Sequence, residues 1–231
     1  MATTHRSPAA ETARAVDPAQ PLAPDARHLH RTLINAVIAT GSVPSVVELA
    51  DRLGTTQEAI RAGLTTLVSG DYLALDATGQ VSCLYPFSTT STAHAVIIEG
   101  QRRFAMCAID ALGIPAMLDE ELDIDGRCVV CHAPITLRVR PGTIVMAAPP
   151  TAMVVARRDE TEPAFAACCP FTVFVCGQEH ADEFMRRIAG THALPLPEAL
   201  VHAEQIFNSL FTEAIPATRP RGKRWGSSRD A

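Results

Sequence analysis

Apolar residues recur at helical spacing in three short stretches between residues 27 and 70, and each stretch predicts an amphipathic helix. The second and third stretches follow residues that commonly cap helices: Ser45, and Thr55 or Thr56. Two strand-like runs separated by a turn come next: residues 72–75 and 81–84. Three helices followed by a β-hairpin predict a winged-helix-like module over residues 27–84.

The most apolar stretch, residues 103–115, predicts one short buried helix that ends at Pro115. Cys107 and Asp110 stand three residues apart, so they share one helix face. A carboxylate in so apolar a window needs a partner or a chemical role, and a nearby thiol can supply both. The alternative is a cysteine that fills core space beside an aspartate bonded to a backbone amide.

The remainder of the chain is dominated by strand-like patterns. Predicted strands cover residues 94–98, 122–124, 135–140, 143–147, 152–156 and 171–176, and predicted helices cover about 181–189 and a stretch that starts at Pro197. The pattern predicts an α+β protein, in which a mixed or antiparallel-sheet domain with flanking helices spans residues 85–215. Residues 1–26 and 216–231 lack periodicity and predict a disordered leader and a disordered basic tail.

Composition narrows the possible functions. The net charge of the whole chain is −5. The predicted winged-helix-like module has a charge of −1, because four basic and five acidic residues lie between Arg27 and Val81. DNA is therefore not an expected partner. No apolar run is long enough to span a membrane, and no export signal is evident, so we expect a cytoplasmic protein. Its seven cysteines are then expected to be reduced thiols, available for metal binding or catalysis.

The motif Cys128-Val129-Val130-Cys131-His132 has several possible meanings. It matches a c-type haem attachment site, which would require export. It also matches half of a zinc site, but the other half would have to be Cys168-Cys169, and neighbouring cysteines cannot easily both bind one tetrahedral ion. We therefore expect a turn with partly buried thiols. The two cysteines in strand patterns, Cys83 and Cys176, are expected to lie in the core.

The adjacent thiols of Cys168 and Cys169 lie in a predicted loop just before a strand. A loop thiol is more easily deprotonated than one in a strand. Pro170 is expected to hold Cys169 in an extended conformation, so that one sulfur faces a site while the other packs inward.

Several motifs occur in a characteristic order: Met106-Cys107-Ala108-Ile109-Asp110-Ala111-Leu112, Ile114-Pro115-Ala116, Cys128, Ala133-Pro134-Ile135-Thr136-Leu137-Arg138-Val139, Phe165-Ala166-Ala167-Cys168-Cys169 and Pro197-Glu198-Ala199. Together they resemble the bacterial alkylmercury (organomercurial) lyases over about residues 29–213. The resemblance assigns the family's two catalytic cysteines to Cys107 and Cys168. Cys169 is the alternative to Cys168 if the match to the family in this loop is shifted by one residue. The family's catalytic aspartate corresponds to Asp110. The resemblance also assigns Cys128 a structural role. Cys131 is an additional cysteine that has no counterpart in the family's pattern.

The resemblance implies cleavage of a carbon–mercury bond by protonolysis, giving a hydrocarbon and Hg(II). Cys107, Cys168 and Asp110 would contact the mercury of substrate and product. No organic cofactor is expected; small cytosolic thiols, and a mercuric reductase, would receive the product. Two alternatives are a non-enzymatic mercury- or metal-binding thiol protein, including a winged-helix metal-responsive regulator, and a dithiol redox protein that uses Cys128 and Cys131.

Overall fold

The structure is a computed structural model that describes residues 24–158 and 162–211. The predicted basic tail and almost all of the predicted leader lie outside these residues. No helix in the described ranges is both long and apolar enough to cross a membrane.

Three helices open the described chain: α1 (Pro24–Thr40), α2 (Val46–Leu53) and α3 (Gln57–Ser69). Ser45 caps α2 and exchanges hydrogen bonds with Glu48, while Thr56 caps α3. A hairpin of β1 (Leu73–Leu75) and β2 (Val81–Leu84) follows. The predicted helices and hairpin are therefore present at the expected positions.

The strands of the described residues form two sheets in which all neighbours are antiparallel. The larger sheet has the order β1-β2-β3-β5-β4-β6-β7-β8, and the smaller has the order β10-β9-β11. The strands not yet given are β3 (Phe87–Ser88), β4 (His94–Ile98), β5 (Gln101–Ala105), β6 (Leu122–Arg127), β7 (Pro134–Arg140), β8 (Thr143–Ala148), β9 (Met153–Arg157), β10 (Val173–Val175) and β11 (Thr191–Pro195). The hairpin is thus the edge of the larger sheet, and the α+β prediction with antiparallel sheets is confirmed.

The most apolar stretch is not the single helix that the sequence predicts. Its first part is β5, and α4 (Ala108–Leu118) begins only after Cys107 and continues through Pro115. Backbone pairing explains the strand, because β5 lies between β3 and β4 in the larger sheet. The buried guanidinium of Arg103 also donates to the carbonyl oxygens of Ile38 (2.8 Å) and Ala39 (3.1 Å) near the end of α1. Nine residues of α4 are buried, and this packing outweighs the tendency of Pro115 to end a helix.

Helix α4 packs against α7 (Leu196–Phe211) at very short range. A Cβ atom on Gly113 would lie 1.9 Å from a ring carbon of Phe207, so only glycine fits here. The Phe207 ring is also stacked on the ring of Tyr85, at a centroid distance of 5.7 Å. The C-terminal helix α7 therefore fixes the position of α4.

The remaining helices are α5 (Ala164–Ala167) and α6 (Gln178–Arg187).

Candidate active site

Cys107 is the N-cap of α4, with an extended backbone (φ −149°, ψ 178°). Its sulfur accepts a hydrogen bond from the backbone N–H of Asp110 at 3.5 Å. The N-terminus of a helix carries partial positive charge, which favours a thiolate. The local fold therefore places a potential metal-binding sulfur at the one end of the helix that stabilises its charged form.

Asp110 lies in the first turn of α4 and is only 1% exposed. One carboxyl oxygen, Oδ2, lies 3.9 Å from the sulfur of Cys169. The other, Oδ1, has no hydrogen-bond partner among the residues that the structure describes. A buried polar atom left in this way is costly for stability and is typical of a site that a ligand or proton completes.

The second thiol of the cluster belongs to Cys169, not to Cys168. The reactive atoms of Cys107, Asp110 and Cys169 all lie within 4.8 Å of one another, and each of the three residues is buried. The side chain of Cys168 is half-buried and lies outside this group. The geometry therefore favours the alternative register over the assignment of Cys168.

The local backbone explains why Cys169, rather than Cys168, faces the cluster. The expectation that Pro170 would hold Cys169 in an extended conformation is wrong, because Cys169 begins a 3-10 helix that ends at Phe171. The preceding residue, Cys168, closes α5 and accepts a hydrogen bond on its carbonyl oxygen from the hydroxyl of Thr172 (3.0 Å). This tight turn directs the Cys169 side chain towards α4.

Two contacts tie the segment that carries Cys169 to the rest of the molecule. The backbone N–H of Ala108, at the start of α4, donates to the carbonyl of Thr172 at 3.1 Å. The carboxylate of Asp71, between α3 and β1, accepts a hydrogen bond from the N–H of Ala164 at 2.7 Å. The spacing between the two thiols therefore depends on both α4 and the N-terminal helices.

Burial dominates the electrostatics of the cluster. It raises the pKa of Asp110 to about 7, although the nearby side chains of Cys107, Tyr85 and Cys169 favour the charged form. Burial also raises the pKa of Cys107 well above its ordinary value. Cys107 lowers the pKa of Cys169, but burial and the charge of Asp110 outweigh this effect and raise it. Both thiols therefore keep their protons near neutral pH, while Asp110 can either accept or donate one.

A second group of metal-binding side chains is present that the sequence did not predict. The donor atoms of Cys128, Cys131, Cys176 and His180 also lie within 4.8 Å of one another. Cys176 is half-buried just after β10, where it packs against the hydrophobic core, and its sulfur is 3.6 Å from that of Cys131. The signal that could have revealed this group is the spacing Cys-x-x-x-His at residues 176–180.

A known enzyme family shares this arrangement of sequence and fold. The alkylmercury lyase (MerB) family model matches residues 87–208, which include every residue of both clusters. The chain belongs to the alkylmercury lyase family. The expected resemblance is thereby confirmed, and the family membership makes the chain a lyase enzyme.

Individual relatives agree with the family match. An alkylmercury lyase of Bacillus cereus is 26% identical over 190 residues, which cover 82% of this chain and 84% of the relative. An alkylmercury lyase of Staphylococcus epidermidis is 27% identical over 172 residues, or 74% of this chain and 77% of the relative. The crystal structure of the mercury-bound form of MerB2 superimposes with a TM-score of 0.69 over 82% of this chain and 93% of that chain, at 21% identity, and so shares the fold.

Proposed function

We propose that this enzyme cleaves the carbon–mercury bond of organomercurials by protonolysis, with Cys107, Cys169 and Asp110 as the catalytic residues. The observation that carries the proposal is the buried cluster in which two sulfurs and one carboxyl group converge within 4.8 Å. Thiolates are soft ligands that suit mercury, and a carboxyl group with a pKa of about 7 suits proton transfer at neutral pH.

Substrate binding is a thiol exchange. An organomercurial held by a small thiol, R–Hg–SR′, gives its mercury to the sulfur of Cys107, and R′SH leaves with the displaced proton. Asp110 can relay this proton, because it is the only carboxyl group in the cluster. The low exposure of Cys107 (4%) and Asp110 (1%) keeps water away from the mercury ligands.

Cleavage then uses the second thiol. Asp110 removes the proton of Cys169, whose sulfur lies 3.9 Å from Oδ2, and the new thiolate binds mercury. The additional sulfur pushes electron density onto the carbon, and the electron pair of the carbon–mercury bond takes the proton from Asp110. The hydrocarbon R–H leaves, and Hg(II) remains bound to the two sulfurs. Two thiol protons are consumed, one in R′SH and one in R–H, and no atom changes its redox state.

Release of the product requires external thiols. Hg(II) held by two buried sulfurs is displaced by two small-molecule thiols, which return protons to Cys107 and Cys169. No organic cofactor takes part in this scheme. A mercuric reductase is a suitable acceptor for the released Hg(II), because it would remove the product that otherwise rebinds the cluster.

Headspace gas analysis tests the proposal. Reduced protein is mixed with methylmercury and excess thiol in D₂O, with Cys107→Ala as the control variant. We expect the wild-type protein to release monodeuterated methane, because the proton that reaches carbon exchanges with solvent through the thiols, and we expect the control to release none. Tight mercury binding without methane from the wild-type protein would instead indicate a mercury-binding protein and overturn the proposal.

A further inference from the structure

The second group of thiols has the chemistry of a structural metal site. We propose that this chain binds one Zn²⁺ ion through Cys128, Cys131, Cys176 and His180. Three thiolates and one imidazole form a complete tetrahedral ligand set of the type found in structural zinc sites. The site is separate from the proposed catalytic cluster, with which it shares no residue.

The distances within this group suit a zinc ion. Tetrahedral zinc with bonds of about 2.3 Å to sulfur and about 2.0 Å to nitrogen places its donor atoms about 3.5–3.8 Å apart. The sulfurs of Cys131 and Cys176 are 3.6 Å apart, and the sulfur of Cys128 is 3.3 Å from Nδ1 of His180. These two pairs of donors therefore lie close to the spacing that an ion between them requires.

The turn that carries the first two ligands is built to hold a metal. His132 donates its N–H to the carbonyl of Cys128 and has a left-handed backbone (φ 60°), while Cys128 donates to the carbonyl of Ala133, both at 2.9 Å. This conformation directs the N–H groups of Val130 and Cys131 at the sulfur of Cys128. Amide donors of this kind neutralise part of a thiolate's charge and orient it towards a bound cation.

The ligands come from separate parts of the fold, which gives the ion a structural role. Cys128 and Cys131 follow β6, Cys176 follows β10, and His180 lies in the first turn of α6. A zinc ion would therefore join the larger sheet, the smaller sheet and a helix at one point. Strand β10 has this site at one end, while the other end is preceded by the 3-10 helix that begins with Cys169. The ion would thus restrain the strand that positions the second catalytic thiol.

Zinc fits better than a catalytic or redox use of these thiols. The group lacks a carboxylate, and its four donors leave no vacant position on a tetrahedral ion for a substrate. A disulfide between Cys131 and Cys176 would remove two ligands, and both residues are free thiols in the structure.

Metal analysis of the full chain tests the proposal. The protein is purified without a metal-binding tag, under reducing conditions and from zinc-containing medium, and its zinc content is measured by mass spectrometry. We expect about one zinc ion per chain in the wild-type protein. Cys176→Ser and His180→Ala are expected to lose most of it, while the matched control Cys83→Ser, in neither cluster, retains it. Cys107→Ser is also expected to retain zinc, which separates this site from the proposed catalytic cluster.

A second measurement does not depend on the folding of any variant. A strong zinc chelator added to the wild-type protein is expected to lower its melting temperature, and added Zn²⁺ is expected to restore it. Cobalt in place of zinc is expected to give the intense visible absorption of a tetrahedral thiolate site.

Absence of zinc together with a melting temperature that the chelator leaves unchanged would overturn the proposal. A Cys131–Cys176 disulfide in protein purified without reductant, or zinc that is lost in Cys107→Ser but kept in Cys176→Ser, would overturn it as well.

Discussion

The two clusters of metal-binding residues use similar atoms in different environments. The first group, Cys107, Asp110 and Cys169, is entirely buried and contains a carboxyl group. The second group, Cys128, Cys131, Cys176 and His180, reaches the surface, since Cys131 is exposed and Cys176 is half-buried. Three donors, one of them able to transfer a proton, leave room for a reacting group on the metal. Four donors complete a tetrahedral ion and leave none.

The proposed roles of the two clusters follow from this difference in surroundings. Burial raises the pKa values of the two thiols in the first group, so in the proposed mechanism they are protonated at neutral pH and supply protons to the reaction. In the second group, backbone N–H groups are directed at the sulfur of Cys128, which favours its thiolate form. The same side chain is therefore expected to have a different role in each cluster.

The largest expected effect is the loss of activity in Cys107→Ser. A hydroxyl is a hard and weak ligand for mercury, so we expect methane formation to fall by a factor of about 10³ or more. The zinc content is expected to stay at the wild-type level. A variant that keeps more than about a tenth of the activity would contradict the role of this residue.

Asp110→Asn separates activity from stability. Loss of the proton relay is expected to reduce turnover by a factor of about 10²–10⁴. The pKa of Asp110 is raised from 3.8 to about 7, so the folded protein binds its proton more tightly than the unfolded chain does. The contribution of Asp110 to wild-type stability therefore falls as the pH rises from about 4 to about 7, and this loss persists above pH 7.

The asparagine variant does not ionise and escapes this loss. We expect it to be more stable than the wild-type protein at pH 8, by about 1–3 kcal/mol in the free energy of unfolding, and to show no such advantage at pH 4. Denaturant unfolding at both pH values provides the measurement. Equal stability differences at the two values would show that Asp110 is not the group whose pKa is raised.

Gly113→Ala tests the packing behind α4. The new Cβ would meet the ring of Phe207 at 1.9 Å, so α4 and α7 must move apart. We expect a loss of about 1–3 kcal/mol in the free energy of unfolding, measured by thermal and denaturant unfolding. Ala116→Gly in the same helix is the control, with an expected loss of about 1 kcal/mol from helix propensity alone. A Gly113→Ala variant as stable as the wild-type protein would contradict the close approach of the two helices.

The smallest expected effect concerns the contact between Asp71 and Ala164. Asp71→Ala removes the acceptor for the N–H at the start of α5 and should loosen the segment that carries Cys169. We expect kcat/KM to fall by a factor of about 3–10, while Asp71→Asn, which retains an acceptor oxygen, stays closer to the wild-type value. Identical kinetics for Asp71→Ala and the wild-type protein would show that this contact does not position the second thiol.

The sequence predicts the parts of the molecule that local rules control. Ser45 and Thr56 mark helix starts, and the three-residue spacing of Cys107 and Asp110 places them on one helix turn. The sequence gives Cys169 only as the alternative to Cys168, because its 3-10 helix runs against the extended preference of a residue before proline.

Long-range contacts explain the other differences. Strand β5 is hidden in an apolar stretch because its pairing with β3 and β4, which holds the backbone extended, is not visible in the local pattern. Cys176 and His180 join Cys128 only after two sheets and α6 have packed together. No spacing rule connects residues that are 52 positions apart in the chain, as Cys128 and His180 are.

Methane release by Cys168→Ser and Cys169→Ser, measured side by side, tests the central claim most directly. The two substitutions are chemically identical and adjacent, so they differ only in which sulfur reaches Asp110. The structure predicts that Cys169→Ser loses at least about 10³-fold in rate, while Cys168→Ser stays within about threefold of the wild-type protein. Loss of activity in Cys168→Ser with full activity in Cys169→Ser would contradict this assignment and place the catalytic thiol one residue earlier in the chain.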